Sequence, residues 1–568
     1  MEKRWTLKPS GDKRKVELLS EVLNINPILA NLLVQRGVTT FHEAKKFFRP
    51  EITDLHDPFL MKDMDKAIDR IIKAIHEKEK ILIYGDYDVD GTTSVALVYS
   101  FLENLHPFVE YYLPDRYKEG YGVSFAGVDW AKEHGYTLII ALDCGIKAND
   151  KVDYASQLGI DFIICDHHIP GEELPKAEAV LDPKRMDCPY PYKELTGCGI
   201  GFKLIHAFAE TQGLPFSEVA GYLDLVVVSI ASDIVPVTGE NRILAYFGLD
   251  KLNTHPRPGF KAILELTKTK RKLTITDVVF IIGPRINAAG RIEDAKRSVE
   301  LMISENPEEA LSAGKGLNLL NTERKELDST ITEQALQLIR EDLEYEKKKT
   351  TVLFNPQWHK GVLGIVASRL TEHHYRPTIV LTQSGETISG SARSVKDFDI
   401  YVAIEKCSDL LEQFGGHKFA AGLTMKPENV KPFSIKFDEV VSSIIEEKML
   451  TQEIEVDAEI NLSDVSFSFF KILKQFAPFG PGNLSPVFVT NNILSRGPAK
   501  IVGANHMKFF AHQPPSPSFD AIAFQQADQI EKISEKNPFQ LCYHLEENEW
   551  NGQIVLQLNV KDIKLTDS

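Results

Sequence analysis

The sequence predicts an α/β protein: a parallel-sheet domain, a long helix joining it to a smaller α/β domain, and a C-terminal all-β barrel. Three observations carry this. Apolar runs alternate with amphipathic helical stretches from Lys80 to about Asp233, the rhythm of a parallel sheet with crossover helices. The charged segment Pro307 to Lys349 keeps helical spacing through Leu317, Leu320, Leu327, Ile331, Leu336 and Ile339. After Lys448 the pattern changes to short alternating strands with turns such as Pro478-Phe479-Gly480-Pro481-Gly482.

The chain has 568 residues, too many for one core. We expect a helical lead-in at 1–45, the parallel-sheet domain at 46–306, the connecting helix at 307–349, the second α/β unit at 350–448 and the barrel at 449–568. Val38-Thr39-Thr40 before Glu43-Ala44 reads as a capped helix start. Ile81–Tyr84, Leu138–Leu142 and Asp161–Cys165 read as buried strands, and Thr92-Thr93-Ser94 as the opening of a helix. Asn306-Pro307 supplies a cap and a first-turn proline for the long helix. Thr351–Phe354 and Pro377–Leu381 are strands of the second unit, and Val555–Val560 a strand of the barrel. Pro514-Pro515-Ser516-Pro517 is an exposed loop.

Apolar content of 43% and charged content of 26% fit a folded soluble protein, and no apolar run is long enough to span a bilayer. The opening Met1-Glu2-Lys3-Arg4-Trp5 lacks an apolar signal core, so export is not expected. Six scattered cysteines form no Cys-x-x-Cys pair, which fits a reduced cytoplasm better than a zinc or disulfide framework. A net charge of −16 argues against coating nucleic acid by bulk charge, while leaving room for a local basic groove.

The three apolar runs end in chemistry-bearing residues. The first leads into Gly85-Asp86-Tyr87-Asp88-Val89-Asp90-Gly91, the second into Asp143-Cys144-Gly145, the third into Asp166-His167-His168. In an open α/β sheet, ligands bind beyond the carboxyl ends of the strands. In extended backbone Asp86, Asp88 and Asp90 face one side, and such crowded carboxylates repel unless cations neutralise them. Taken singly, these residues also suit turns and caps, and a lone histidine suits a core. An EF-hand continuation is excluded, because Leu97 stands where its closing Glu would. Adjacent imidazoles after a carboxylate suit Mn²⁺ and similar metals. Asp233, after Ser229-Ile230-Ala231-Ser232, joins the set by the same logic, although alone it would read as a cap.

In this order the set resembles the DHH phosphoesterase superfamily. Further motifs resemble its RecJ branch of single-strand-specific exonucleases: Leu113-Pro114-Asp115-Arg116 with Gly120-Tyr121-Gly122, and Gly283-Pro284-Arg285-Ile286-Asn287-Ala288-Ala289-Gly290-Arg291. Ser389-Gly390-Ser391-Ala392-Arg393-Ser394 and Gly415-Gly416-His417 resemble a DHHA1 module, and Tyr543 to Asp562 an oligonucleotide-binding (OB) barrel.

The resemblance implies a 5′→3′ exonuclease that hydrolyses single-stranded DNA to mononucleotides in repair and recombination, using two Mn²⁺ or Mg²⁺ ions. It implies Asp88, Asp90, Asp143, His167 and Asp233 as metal ligands, with Asp143 bridging, and His168 near the scissile phosphate. Asp86 and Asp166 belong to the same catalytic set, and direct ligation by Asp86 stays open. Arg116, Tyr121, Arg285, Asn287, Ser391, Arg393, Gly415, Gly416 and His417 are the implied strand contacts. Arginine suits a terminal phosphate because its fork donates two hydrogen bonds, while glycine lets backbone N–H groups approach closely. Tyr117 and Tyr121 could stack on bases or pack in the core. Expected partners are single-stranded DNA with a 5′ end, a helicase and a single-strand-binding protein, with no membrane and a monomeric chain. The alternatives are a DHH-type phosphatase of small nucleotides and a non-catalytic single-strand-binding scaffold.

Overall fold

The computed structural model describes residues 3–550 and 552–566. Its first sheet has five parallel strands in the spatial order Val109–Tyr112, Ile81–Gly85, Leu138–Leu142, Asp161–Cys165, Ala179–Leu181. Alternate side chains feed opposite faces: Ile81, Ile83, Leu138 and Ile140 enter one core, Leu82, Tyr84, Ile139 and Ala141 the other. Burial on both faces explains why these runs are continuously apolar rather than alternating. The chain leaves Ile81–Gly85 toward one edge and returns at Leu138–Leu142 on the other side, so the strand order reverses between Asp86 and Asp143. That reversal opens a crevice at the strands' carboxyl ends.

The first acidic loop differs from its expected extended form. The helix after it begins at Val89, not Thr92, and runs to Glu103. Asp88 is its N-cap, accepting from Gly91 N at 3.0 Å, and Asp90 lies in the first helical turn. Asp86, Asp88 and Asp90 thus sit on a strand end, a cap and a helix. A side chain on Gly91 would come 2.4 Å from the Asp86 carbonyl oxygen, so the tight turn requires glycine there.

The connecting helix runs from Pro307 to Glu341, with Asn306 capping Glu308 N as expected. It stops short of Lys349 because Asp342 is extended and Tyr345 is buried against the second domain. The second sheet is ordered Gln413–His417, Ala420–Met425, Thr387–Arg393, Thr378–Ser384, Thr351–Phe354; only the last two strands are parallel to each other.

The C-terminal sheet has seven strands, and pairing of Leu494 with His512 and Ser495 with Ala511 curls it back on itself. Its core holds Phe488, Phe539, Leu541, Tyr543 and Leu558 together with Leu29, Leu32, Leu33 and Ala44 of the opening segment. That segment is not purely helical: strand Arg4–Leu7 pairs in parallel with Glu453–Val456. Helix Phe41–Phe48, held by a Thr40–Glu43 capping box, runs across the expected division at residue 45. Among the described residues no helix is long and apolar enough to cross a membrane.

Candidate active site

Asp166 directly follows the strand Asp161–Cys165 and is consumed by local hydrogen bonds. Its Oδ1 accepts from His167 N at 2.7 Å, His168 N at 3.1 Å and His168 Nδ1 at 2.7 Å, and its Oδ2 from Ile146 N at 3.0 Å. Burial alone would raise this carboxyl, but the His168 imidazole and the Ile146 amide bring it down to about 2. Burial likewise opposes charge on His168, yet the hydrogen bond and charge of Asp166 raise it to about 9. Asp166 therefore orients His168 and favours its cationic form. The other ring nitrogen of His168 faces Tyr121 Oη at 3.3 Å, and that hydroxyl also reaches the Asp143 carbonyl.

His167 points the other way. Its Nε2 lies 3.1 Å from Asp143 Oδ1 and 3.7 Å from both Asp90 Oδ2 and Asp233 Oδ2. Burial lowers its pKa, which favours the neutral, ligating imidazole. Asp143 occupies a left-handed turn (φ 59°), fixed by its N–H on Cys165 O at 2.9 Å. A side chain on Gly197 would meet Asp143 Cβ at 2.6 Å, so glycine lets the next helix start against this turn. That helix, Gly197–Thr211, receives the Asp90 carboxylate on its first amides: Gly197 N at 2.7 Å and Cys198 N at 2.8 Å, with Ser229 Oγ at 2.7 Å. Asp233 caps the C-terminus of helix Leu223–Ser232.

The chemistry of this set fits divalent cations. Ligand atoms of Asp143, His167 and His168 lie within 4.8 Å of one another, as do those of Asp90, His167 and Asp233. Asp86 Oδ2, Asp143 Oδ1 and His167 Nδ1 are buried without hydrogen-bond partners. Burial, then neighbouring carboxylates, pushes Asp86 and Asp143 well up and Asp233 up to about 8. Asp88, half-buried next to Asp90, is raised by desolvation and by that neighbouring carboxylate. Such groups resist ionisation together unless cations share the site.

A second cluster is cationic. The guanidinium of Arg116 lies 4.8 Å over the Tyr87 ring. Ser391 and Arg393 alternate on one strand face, and Arg393 donates to Ser391 Oγ at 3.2 Å and to Ser368 Oγ at 3.1 Å. Gly364, in the first turn of helix Leu363–His374, makes room for it: a side chain there would meet Arg393 Nη2 at 2.7 Å. Burial, then Arg116, lowers the pKa of Arg393. Arg116 also lies in the field of Asp86, which links this cluster to the carboxylates.

Arg285 does not join this cluster. It donates to Ile281 O at 2.6 Å and to Asn318 Oδ1 at 3.0 Å, tying its helix to the long connecting helix. Arg291 of the same helix joins instead. It is half-buried, reaches Gly361 O at 3.1 Å, and is lowered to about 10 by desolvation and by Arg116, Arg324 and Arg393. Asn287, half-buried, is four residues before Arg291 and so shares its face, while Arg285 points elsewhere.

Tyr117 donates to the Arg291 carbonyl, tying the Asp115–Gly122 loop to helix Gly283–Ile292, and its ring lies edge-on to His359 of the second domain. Gly415, Gly416 and His417 form an exposed edge strand. Gly415 faces open space, whereas a side chain on Gly416 (φ 147°) would strike Ala420 O at 2.3 Å. Partial desolvation, then the charges of Arg393 and His168, lowers the pKa of His417 although it is exposed on this edge.

Comparison with known proteins agrees with this arrangement. Residues 80–230 match the model for the DHH family N-terminal domain, 347–443 the DHHA1 domain and 456–562 the RecJ OB domain. A single-stranded-DNA-specific exonuclease RecJ from Bacillus subtilis is 37% identical over 99% of this chain and 71% of the relative. The Escherichia coli protein of that name is 32% identical over 97% and 98%. The structure of RecJ from Thermus thermophilus in complex with Mn²⁺ superposes with a TM-score of 0.86 at 26% identity, covering 100% of this chain and 80% of that one. A structure titled exonuclease RecJ bound to manganese aligns with a TM-score of 0.61 at 30% identity, over 70% and 98%. With the carboxylate–imidazole set, the three domains and near-full-length similarity in agreement, this chain belongs to the RecJ family of single-stranded-DNA-specific exonucleases.

Proposed function

We infer that this protein is a metal-dependent 5′→3′ exonuclease that hydrolyses single-stranded DNA from its 5′ end to mononucleotides, in DNA repair and recombination. The observation that carries the reading is the pairing of a carboxylate–imidazole site with a half-buried arginine cluster in its electrostatic field. Asp88, Asp90, Asp143, His167 and Asp233 would hold the divalent ions, Mn²⁺ or Mg²⁺. Bound there, two such ions would lower the pKa of a water and offset charge on the phosphoryl and leaving oxygens.

The remaining roles belong to the chain itself. His168, whose cationic form Asp166 favours, donates a hydrogen bond to a non-bridging oxygen of the scissile phosphate. Arg116, Arg291 and Arg393, with Ser391, receive the terminal 5′-phosphate; their mutual repulsion is relieved by a dianion. The N-terminus of helix Leu363–His374 adds its dipole to this seat. The backbone at Gly415 approaches a strand phosphate, and Tyr121 flanks the first base. A seat for the terminus at a set distance from the metal centre makes the enzyme release single nucleotides from an end. The finer picture we propose is a cytoplasmic monomer that receives its strand from a helicase and a single-strand-binding protein. The OB barrel favours this, since such barrels hold single strands by stacking and backbone contacts.

The test uses 5′- and 3′-labelled single strands and duplex with Mn²⁺, Mg²⁺ or chelator. Labelled mononucleotide appears from the 5′ end of single strands only, and chelator abolishes it. Release from the 3′ end first, or equal attack on blunt duplex, refutes the reading.

A further inference from the structure

The helical run from Ile275 to Ile292 lies against the carboxylate set at two points. It is α-helical at Ile275–Asp277 and Gly283–Ile292, and π-helical at Val278–Ile282 between them. Two buried glycines make the close approach. A side chain on Gly290 would meet the carbonyl oxygen of Tyr87, between Asp86 and Asp88, at 2.7 Å. One on Gly283 would meet Ser232 Oγ, next to Asp233, at 2.8 Å. The two glycines stand about two helical turns apart and share one face. The run therefore spans the metal site from the Asp88 loop to the helix end that carries Asp233.

Thr276, Phe280, Pro284, Asn287 and Arg291, none of them buried, recur along the run at spacings of three and four residues, those of one helical face. Among the described residues Phe280 is the most exposed phenylalanine, at 71%. A lone exposed ring is ordinary on a protein surface; the place of this one is not. Arg291 stands beyond Gly290, at the phosphate-binding end, and Phe280 stands beyond Gly283, at the Asp233 end. Along the axis they are about 16 Å apart at 1.5 Å per residue, at most about five nucleotides at the stacked spacing of 3.4 Å. Phe280 also sits on the π turn, closed by Gly283 N on the Val278 carbonyl, and such turns occur mostly at functional sites. Arg285 braces that turn, donating to Ile281 O at 2.6 Å and to Asn318 Oδ1 of the long helix at 3.0 Å. One turn further along, Thr276 lines a cavity of about 650 Å³ with Lys3 and with His544 and Lys561 of the barrel, so a strand leaving Phe280 continues toward the barrel.

We propose that Phe280 is a stacking platform for a base just downstream of the scissile phosphate, held out on the π turn that Arg285 braces. This rests on the exonuclease reading above: the 5′-phosphate sits at Arg291, the scissile phosphate over the metal ligands, and a following base on Phe280. Stacking on an aromatic face tolerates any base, which suits an enzyme that advances one nucleotide at a time.

The test uses full-length wild type, Phe280→Ala, Phe280→Leu and Phe280→Trp with 5′-phosphorylated single strands. Binding is read by fluorescence anisotropy in chelator, where no strand is cut, and turnover with Mn²⁺. The ring is exposed, so its removal leaves the fold intact. We expect Phe280→Ala and Phe280→Leu to raise Kd and KM by at least about fivefold, roughly 1 kcal/mol, with kcat and the preference for a 5′-phosphate held. Phe280→Trp keeps wild-type values. Strands with one abasic nucleotide, moved through the first five positions, locate the stacked base: at one position its loss weakens wild-type binding and adds nothing in Phe280→Ala. Wild-type Kd and KM in Phe280→Ala, full recovery in Phe280→Leu, or abasic losses that stay additive with Phe280→Ala at every position overturn the proposal. Absence of 5′→3′ release by the wild type overturns the exonuclease reading itself.

Discussion

Asp143→Asn slows hydrolysis of single-stranded DNA by at least about a thousandfold, equivalent to about 4 kcal/mol of transition-state stabilisation, while the protein stays folded. Asp143 is 2% exposed, has an unpartnered oxygen and stands 3.1 Å from His167 Nε2, so its charge has no purpose in the fold alone. The amide is nearly isosteric and removes one of several mutually repelling buried carboxylates. Metal-free Asp143→Asn therefore melts no lower than metal-free wild type. Added Mn²⁺ raises the melting temperature of the wild type, by about 2.7 kcal/mol of stability at a hundred times Kd, and raises that of the variant far less. Thermal melts with and without Mn²⁺, beside turnover of a labelled strand, check both halves. Activity within tenfold of wild type would remove Asp143 from the centre.

Arg393→Ala lowers kcat/KM on 5′-phosphorylated single strands by roughly ten- to a hundredfold, the worth of a charge-assisted pair of about 1.5–3 kcal/mol. On the same strand with a 5′-hydroxyl it has much less effect. Arg291→Gln gives the same pattern, because Arg291 lies in the field of Arg116 and Arg393. Arg285→Ala spares the phosphate preference, because two of its donors are spent on Ile281 and Asn318. Competition between phosphorylated and hydroxyl-ended strands measures the preference directly. Equal losses on both ends in Arg393→Ala would move the terminal phosphate elsewhere.

The strands that carry the site are readable because each is buried on both faces and ends where the apolar run ends. Ile81–Gly85, Leu138–Leu142 and Asp161–Cys165 fall where the sequence places them, with the first longer by Gly85. The long helix is equally readable from its cap and spacing. The acidic loop is not, because alternation in Asp86, Asp88 and Asp90 assumes extended backbone. The Asp88 side chain caps the helix at once and turns Asp90 onto a different element. Arg285 and Arg291 cannot be separated by residue type alone; only the helical phase of their segment distinguishes them. The opening segment escapes a local reading for a different reason. Its partners lie more than four hundred residues away, as in the pairing of Arg4 with Glu453, and local pattern carries no trace of them.

Everything proposed for this enzyme depends on the carboxylate–imidazole site, and anomalous scattering from a Mn²⁺-soaked crystal of the protein tests that site most directly. Two anomalous peaks are expected within ligand distance of Asp88, Asp90, Asp143, His167 and Asp233, with Asp143 touching both and Asp166 touching neither. No peak among these residues, or peaks confined to another part of the molecule, would contradict a metal centre there.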